Sequence, residues 1–396
     1  MPLRKLHERT HYSNQVVMRK ILILFSIIYI FISCNNVSNK RTGESDVNDS
    51  ANLVRYAENF KIYPCHSGYK LVINDLNPSK TNVFYVFNKE DKIPEEIVDE
   101  QIIRTPVESV IAFSSTQWSV FQKLGEFNKV KGVLESNYSR NEELLRLVSE
   151  GKIKDVGTST SVNTEKVIHL QADLILFTPY PTVDYSHLKE LCNSMMVPFP
   201  DYLESHPLGR AEWMKVVGLL CGKEKETTEW FDNVEERYNK LSAICLQEND
   251  RPSVFSDLPF ENQWYVPGGD SYIAKIFSDA GGDYIWKDNK SKGSLHIDAE
   301  SVLLKAQNAD YWRVINSYDT PFTYEDLAKE NDLYPLFKAF KEKQLLVCNV
   351  RKCGYFEQSQ YEPDILLADF IFHFHPELLT DEWENYSPKY FKKLIK

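Results

Sequence analysis

The side chains of this chain that are placed for chemistry are aromatic, hydroxyl and basic residues falling just after short β-branched runs. Ser114, Ser115, Thr116 and Trp118 follow the run 107–113, Thr158 follows Val156-Gly157, and Tyr180 follows Phe177. Further on, Trp264 and Tyr265 precede Gly268-Gly269, while Arg351, Tyr355 and Phe356 follow the run 345–350. In open α/β sheets ligands bind beyond the carboxyl ends of strands, so these are the candidate ligand-binding residues. Aromatic walls suit a large planar molecule, because they bury much area at little entropy cost, and a few hydroxyl and cationic groups then fix its orientation. Core or surface packing accounts for any single aromatic equally well. Trp118, Tyr180 and Trp264 are the strongest of the set, since they follow predicted strand ends.

Catalysis and metal binding find less support. There is no Gly-x-Ser-x-Gly, no phosphate loop and no HExxH. The acid pairs Asp201/Glu204 and Asp381/Glu382 sit in polar stretches and read as solvated surface. His373 and His375 are two apart on a predicted helix, where side chains diverge, and Cys65-His66 stands alone, so no metal site and no cofactor are expected. No CxxC occurs; Cys348 and Cys353 flank a short loop and are the best-placed pair for a disulfide.

The 396 residues carry 46 Lys+Arg against 57 Asp+Glu, a net charge of −11, which argues against nucleic acid as a partner. Met18-Arg19-Lys20 precedes thirteen uncharged residues, 21–33, and then Cys34. A basic start, a short apolar run and a small residue before the cut make a secretory signal, and the run is short for a membrane span, with an uncleaved anchor as the lesser alternative. The Cys after Ile32-Ser33 resembles a bacterial lipobox, which predicts lipidation at Cys34 and a periplasmic, membrane-anchored protein; Met18 is then the better initiator. Residues 35–52, rich in Asn, Ser, Asp and Thr, read as a tether. Residues 1–34 hold five basic and one acidic residue, so the remainder carries 41 positive and 56 negative charges, net −15.

The elements that must position the candidates alternate. Strands are predicted at 107–113, 130–134, 172–177 and 195–199, with helices at 115–124, 142–150, 163–170 and 189–194 between them. From 209 to about 248 only helix is expected, its second piece carrying Trp230, Phe231, Val234, Tyr238, Leu241 and Cys245 on one stripe. The rhythm then resumes: strands at 253–256, 311–315 and 345–350, helices at 271–280, 298–306, 332–337 and 363–374. The pattern predicts an α/β fold of two small parallel-sheet lobes joined by one long helix, with a cleft between the lobes. The expected organisation is a signal segment 1–34, a tether 35–52, an N-terminal lobe 53–208, a helical connector 209–250 and a C-terminal lobe 251–396.

Four stretches in order share a pattern with a known family. They are Pro106-Val-Glu-Ser-Val-Ile-Ala-Phe-Ser-Ser-Thr116; Asn163-Thr-Glu-Lys-Val-Ile-His-Leu-Gln-Ala-Asp-Leu-Ile-Leu176; Gly268-Gly-Asp-Ser271 with Ala280-Gly281-Gly282; and Ile297-Asp-Ala-Glu-Ser-Val-Leu303 before Ala309-Asp310. Together they resemble the solute-binding proteins that serve ATP-driven importers of vitamin B12, ferric siderophores and haem. The resemblance leaves 53–100, 205–213 and 317–342 unaccounted for. It implies two lobes held by a rigid helix, a monomer, no enzymatic activity, and capture of a small-molecule metal chelate (corrinoid, ferric siderophore or haem) for delivery to a permease and its ATPase. It also implies that Glu165 and Glu300 face arginines of the permease, although each opens a helix, where a carboxylate is favourable anyway. The alternatives are a cleft enzyme or chelatase acting on such a complex, or a metal-ion binding protein.

Overall fold

The computed structural model describes residues 51–76, 80–97, 101–260, 263–320 and 323–395, so Cys34, the expected signal segment 1–34 and nearly all of the expected tether lie outside the described residues. Two five-stranded sheets carry the architecture. In the first, Val110–Ala112, Val130–Val133, Lys154–Asp155, Leu174–Phe177 and Met195–Pro198 lie in the spatial order fifth, fourth, first, second, third, all parallel. In the second, Ser253–Ser256, Asp283–Tyr284, Tyr311–Asn316, Leu345–Asn349 and Lys392–Lys393 lie in the order second, first, third, fourth, fifth, with only the last antiparallel. Helices cover both faces of a parallel sheet, which is why its strands are continuous apolar runs rather than alternating ones. Val110, Ile111 and Ala112 are accordingly all fully buried. Each sheet switches side around its own first strand, and a crevice opens at such a point.

The predicted helices at 115–124, 142–150, 163–170 and 363–374 correspond to Ser115–Lys123, Glu142–Ser149, Thr164–Leu170 and Pro363–Phe374. Two expectations shift. The helix placed at 189–194 is Ser186–Leu191, and the one at 332–337 shrinks to a single 3₁₀ turn at Tyr334–Leu336. The helical stretch is broken at Trp213 and at Gly222 into Pro207–Glu212, Met214–Cys221 and Glu224–Cys245. Gly222 takes φ +68°, and a Cβ at Gly218 would lie 2.1 Å from Thr227 Oγ1, so the last two helices turn tightly upon each other. At 22 residues the long helix spans about 33 Å. Its buried residues Thr227, Phe231, Val234, Tyr238, Leu241 and Cys245 recur every three or four, one stripe as the sequence predicts.

Phe60–Cys65, Gly68–Asn74 and Thr81–Asn88, from the stretch 53–100 outside the family pattern, form a four-stranded sheet with Ile102–Thr105. Buried glutamates fasten the chain leading into it. Both Glu212 oxygens accept backbone N–H bonds, from Arg55 at 2.8 Å, Tyr56 at 2.8 Å and Ala57 at 3.0 Å. Glu204 accepts from the backbone of Glu58 and Asn59 and from Trp213 Nε1. Both side chains belong to fully buried residues, so the reading of Glu204 as solvated surface is corrected. A carboxylate can be buried here because backbone donors replace its water.

Folded His373 stays neutral at physiological pH. Its ring is buried and hydrogen-bonds through Nε2 to the Phe391 carbonyl at 2.9 Å, and burial lowers its pKa to about 4. The unfolded chain, with an ordinary value near 6.5, therefore binds the extra proton between pH 6.5 and 4. The contribution of His373 to stability is full above this window and falls as pH drops through it, by about 2 kcal/mol between pH 7 and 5. Urea unfolding at the two pH values measures the loss. His373→Gln, which keeps a donor and cannot titrate, should flatten it.

Candidate functional site

The carboxyl ends of the two sheets face each other. Ser115, opening the helix after the first strand, donates from Oγ to the Phe356 carbonyl of the second lobe at 3.2 Å. The Tyr361 hydroxyl donates to the Thr116 carbonyl, and Ser139 Oγ to Glu357 Oε1 at 3.3 Å. Arg140 approaches Asp319 at 3.7 Å. The lobes are thus in direct contact along helix Ser115–Lys123 and the turn Tyr355–Gln358, and a bulky ligand would have to part these bonds.

At the base of this contact lie two buried guanidinium groups that sequence reasoning did not single out. Arg210 donates from Nε to Asp201 Oδ2 at 3.1 Å, and its guanidinium stands over the Tyr272 ring of the second lobe at 4.5 Å. Arg313 donates to Ser256 Oγ at 2.8 Å, to Asp257 Oδ1 at 2.9 Å and to the Tyr355 hydroxyl at 3.2 Å, leaving its buried Nε without a partner. Asp201 is 3% exposed and also accepts a 3.4 Å contact from Thr116 Oγ1, so it is not solvated surface either. Burial pushes the Asp201 carboxyl up while Arg210 opposes the shift. The only signal in the sequence was an arginine inside the unexplained stretch 205–213.

The expected ligand wall divides. Ser115, Thr116 and Tyr355 come together at the contact between the lobes, though Tyr355 is buried and held by Arg313. Trp118 is corrected to core: it is 2% exposed and stacks on Phe127 at 5.7 Å. Trp264 is corrected likewise, fully buried among Phe255, Trp312, Tyr334 and Phe337. The reason is the two-residue period of a strand, which sends Trp264 inward and Tyr265 outward from Gln263–Pro267, so the two cannot share one wall. Tyr265 packs edge-on against His296, and Thr158 is exposed on a two-residue strand. Arg351 pairs with Asp319 at the rim. Tyr180 is 39% exposed beside Tyr202 and lines a groove of about 1070 Å³ whose walls all come from residues 75–196, a first-lobe groove.

Glu165 and Glu300 occupy matching places. Each is exposed at the second position of its helix, Thr164–Leu170 and Ala299–Ala306. The caps are already filled, since Asn163 accepts from Lys166 N and Asp298 from Ser301 N at 2.9 and 2.8 Å. Among the described residues no group of three or more His, Cys, Asp or Glu is gathered as a metal ion would need, and no helix is long and apolar enough to cross a membrane. His375 Nε2 bonds the Gly281 carbonyl at 3.2 Å, away from His373.

Similarity to known proteins agrees with this architecture. The chain is 30% identical over 356 residues to the uncharacterized lipoprotein MJ0878 of Methanocaldococcus jannaschii, covering 86% of this chain and 83% of that one. Its fold resembles a periplasmic heme binding protein from Pseudomonas aeruginosa, with TM-score 0.56 and 15% identity over 73% of this chain and 99% of that one. It also resembles an ABC-type Fe3+-hydroxamate transport system from Saccharomonospora viridis, with TM-score 0.54 and 17% identity over 67% and 92% of the two chains. The periplasmic binding protein family model matches residues 110–350, which take in both sheets' facing strand ends, and the chain belongs to that family.

Proposed function

We propose that the protein is the extracytoplasmic binding lipoprotein of an ABC importer, lipidated at Cys34, which captures a metal chelate between its lobes and delivers it to a permease. The observation that carries this is the facing of two parallel-sheet carboxyl ends across direct, breakable contacts, Ser115 to Phe356 and Tyr361 to Thr116. Solved proteins of similar fold are described as binding heme or serving Fe3+-hydroxamate transport, which supports a chelate as cargo. Parting of the lobes would expose Tyr272, Tyr355 and the guanidinium groups of Arg210 and Arg313. That set favours an anionic complex over a neutral corrinoid, because each guanidinium could exchange a carboxylate of the protein for one of the ligand. Residues 53–208 and 251–396 act as the lobes and 209–250 as the connector between them.

Titration of the protein with haemin, ferric siderophores and cyanocobalamin, read by tryptophan fluorescence, tests the reading. Trp230, half-buried 5.9 Å from Tyr361 at the lobe contact, is the expected reporter. Saturable quenching by an anionic ferric complex with its metal retained is the expected result. Failure of all three classes to bind overturns the chelate reading, and release of the metal on binding supports a chelatase instead.

A further inference from the structure

At the end of Leu345–Asn349, the fourth strand across the second lobe's sheet, the chain doubles back on itself. Cys348 is the last residue but one of this strand, and the single helical turn Val350–Cys353 brings Cys353 Sγ to 3.4 Å from Cys348 Sγ. A disulfide needs about 2.05 Å between the sulfurs, so a small rotation of side chains would close it. The two thiols differ in access: Cys348 is buried, whereas Cys353 is partly exposed and also bonds the Asn349 carbonyl at 3.3 Å. The segment they bracket is functional ground. Arg351 lies inside it, and Gly354, at φ +60°, turns the chain into Tyr355 and Phe356, which hold Arg313 and Ser115 respectively. The hydrogen bond from Cys348 lowers the pKa of Cys353, and the same contact raises that of Cys348, the division expected of an attacking and a resolving thiol.

We propose that Cys348 and Cys353 form a reversible dithiol/disulfide modification site whose closure clasps the second-lobe loop that touches the first lobe. The oxidant is a disulfide of the extracytoplasmic space, protein-borne or small. Cys353 thiolate attacks one sulfur of R–S–S–R, forming a mixed disulfide and releasing RS⁻, which takes a proton. Cys348 then loses its proton and attacks Cys353 Sγ, breaking the mixed disulfide and releasing a second RSH. Two protein thiols are oxidised and one external disulfide is reduced to two thiols.

The sequence provides a direct readout, because trypsin cuts at Arg351 and Lys352, between the two cysteines. The full-length protein in detergent is equilibrated with reduced and oxidised glutathione at a series of ratios, quenched in acid, alkylated in denaturant and digested. The peptides bearing Cys348 and Cys353 should emerge joined at oxidising ratios and separately alkylated at reducing ones. Full alkylation of both at every ratio overturns the site, as does joining of either to Cys65, Cys192, Cys221 or Cys245. Amide exchange across 349–356 should slow on oxidation in the wild type and ignore the glutathione ratio in Cys353→Ser, whose half-exposed position tolerates the change. Exchange that does not respond in the wild type overturns the clasp. These readouts need no bound chelate, so they stand or fall apart from the proposed cargo.

Discussion

Cells carrying Glu165→Arg together with Glu300→Arg should lose chelate uptake, while the purified double variant binds the chelate as the wild type does. The two carboxylates are exposed, and neither forms an ion pair among the described residues. Their helices are capped by Asn163 and Asp298 without them. Reversal therefore costs the fold only the helix-dipole contribution, about 0.3–1 kcal/mol at each position, which is small against the 5–15 kcal/mol stability of a typical domain. At an interface with a basic partner the same reversal replaces attraction by like-charge contact, at several kcal/mol. Each 1.4 kcal/mol is about tenfold in affinity, so two reversals remove productive docking. The single variants should fall between, and the chain's acidity elsewhere cannot substitute for two charges fixed one per lobe. Uptake measured with the cognate permease and ATPase, set beside a fluorescence titration of the purified variant, separates the outcomes. Persistent uptake would refute docking through these glutamates. Loss of binding would place them in the cargo site instead.

Much of the fold was legible because its elements obey local rules. The buried parallel strands are continuous apolar runs, and the helices end where Gly125, Gly151 and Gly222 supply positive φ. The long helix shows its stripe because one face alone is buried. Legibility failed where tertiary contact overrides local pattern. Residues 332–337 look helical, yet only a 3₁₀ turn forms there, with Pro335 inside it. The hairpin of Pro259–Phe260 and Gln263–Pro267, paired to Ser294–Asp298 from about thirty residues further on, has no short-range signature of its long partner.

The site was legible in its backbone and much less so in its side chains. The rule that ligand groups follow strand ends located Ser115, Thr116 and Tyr355 at the lobe contact. It could not say which way an aromatic points. Trp118 lies within the buried run 116–121 of its helix, and Trp264 on the inward phase of its strand, so both strengthen the core. Asp201 and Glu204 misled for the opposite reason. A polar neighbourhood in sequence reads as surface, but the partners that permit burial, Arg210 for one and the backbone of 58–59 for the other, lie nine and about 146 residues away.

Removing the Asp201 carboxylate should be among the most damaging single changes in the lobe contact. Asp201→Ala leaves the 9%-exposed Arg210 without its one carboxylate partner among the described residues, and breaking a buried pair in this way costs about 3–5 kcal/mol. The Tyr272 ring beneath the guanidinium offsets part of this, by about 0.5–2 kcal/mol if it is retained. A loss of this size lowers the melting temperature by on the order of 10 °C. The two partners should not be equivalent. A stranded guanidinium cannot shed its charge, whereas a stranded carboxyl can take a proton. Burial already pushes Asp201 upward against the opposing pull of Arg210, and Arg210→Met removes that opposition. The folded Asp201 then binds a proton at a pH where the unfolded one does not. By linkage the cost of Arg210→Met shrinks as pH falls toward 5, while the cost of Asp201→Ala does not. The double variant Asp201→Leu/Arg210→Met, with no buried charge left, should recover most of the loss. Urea unfolding of the four proteins at pH 7 and 5 decides the matter: equal pH responses of the two single variants, or a double variant no more stable than Asp201→Ala, would show that the pair contributes shape rather than charge.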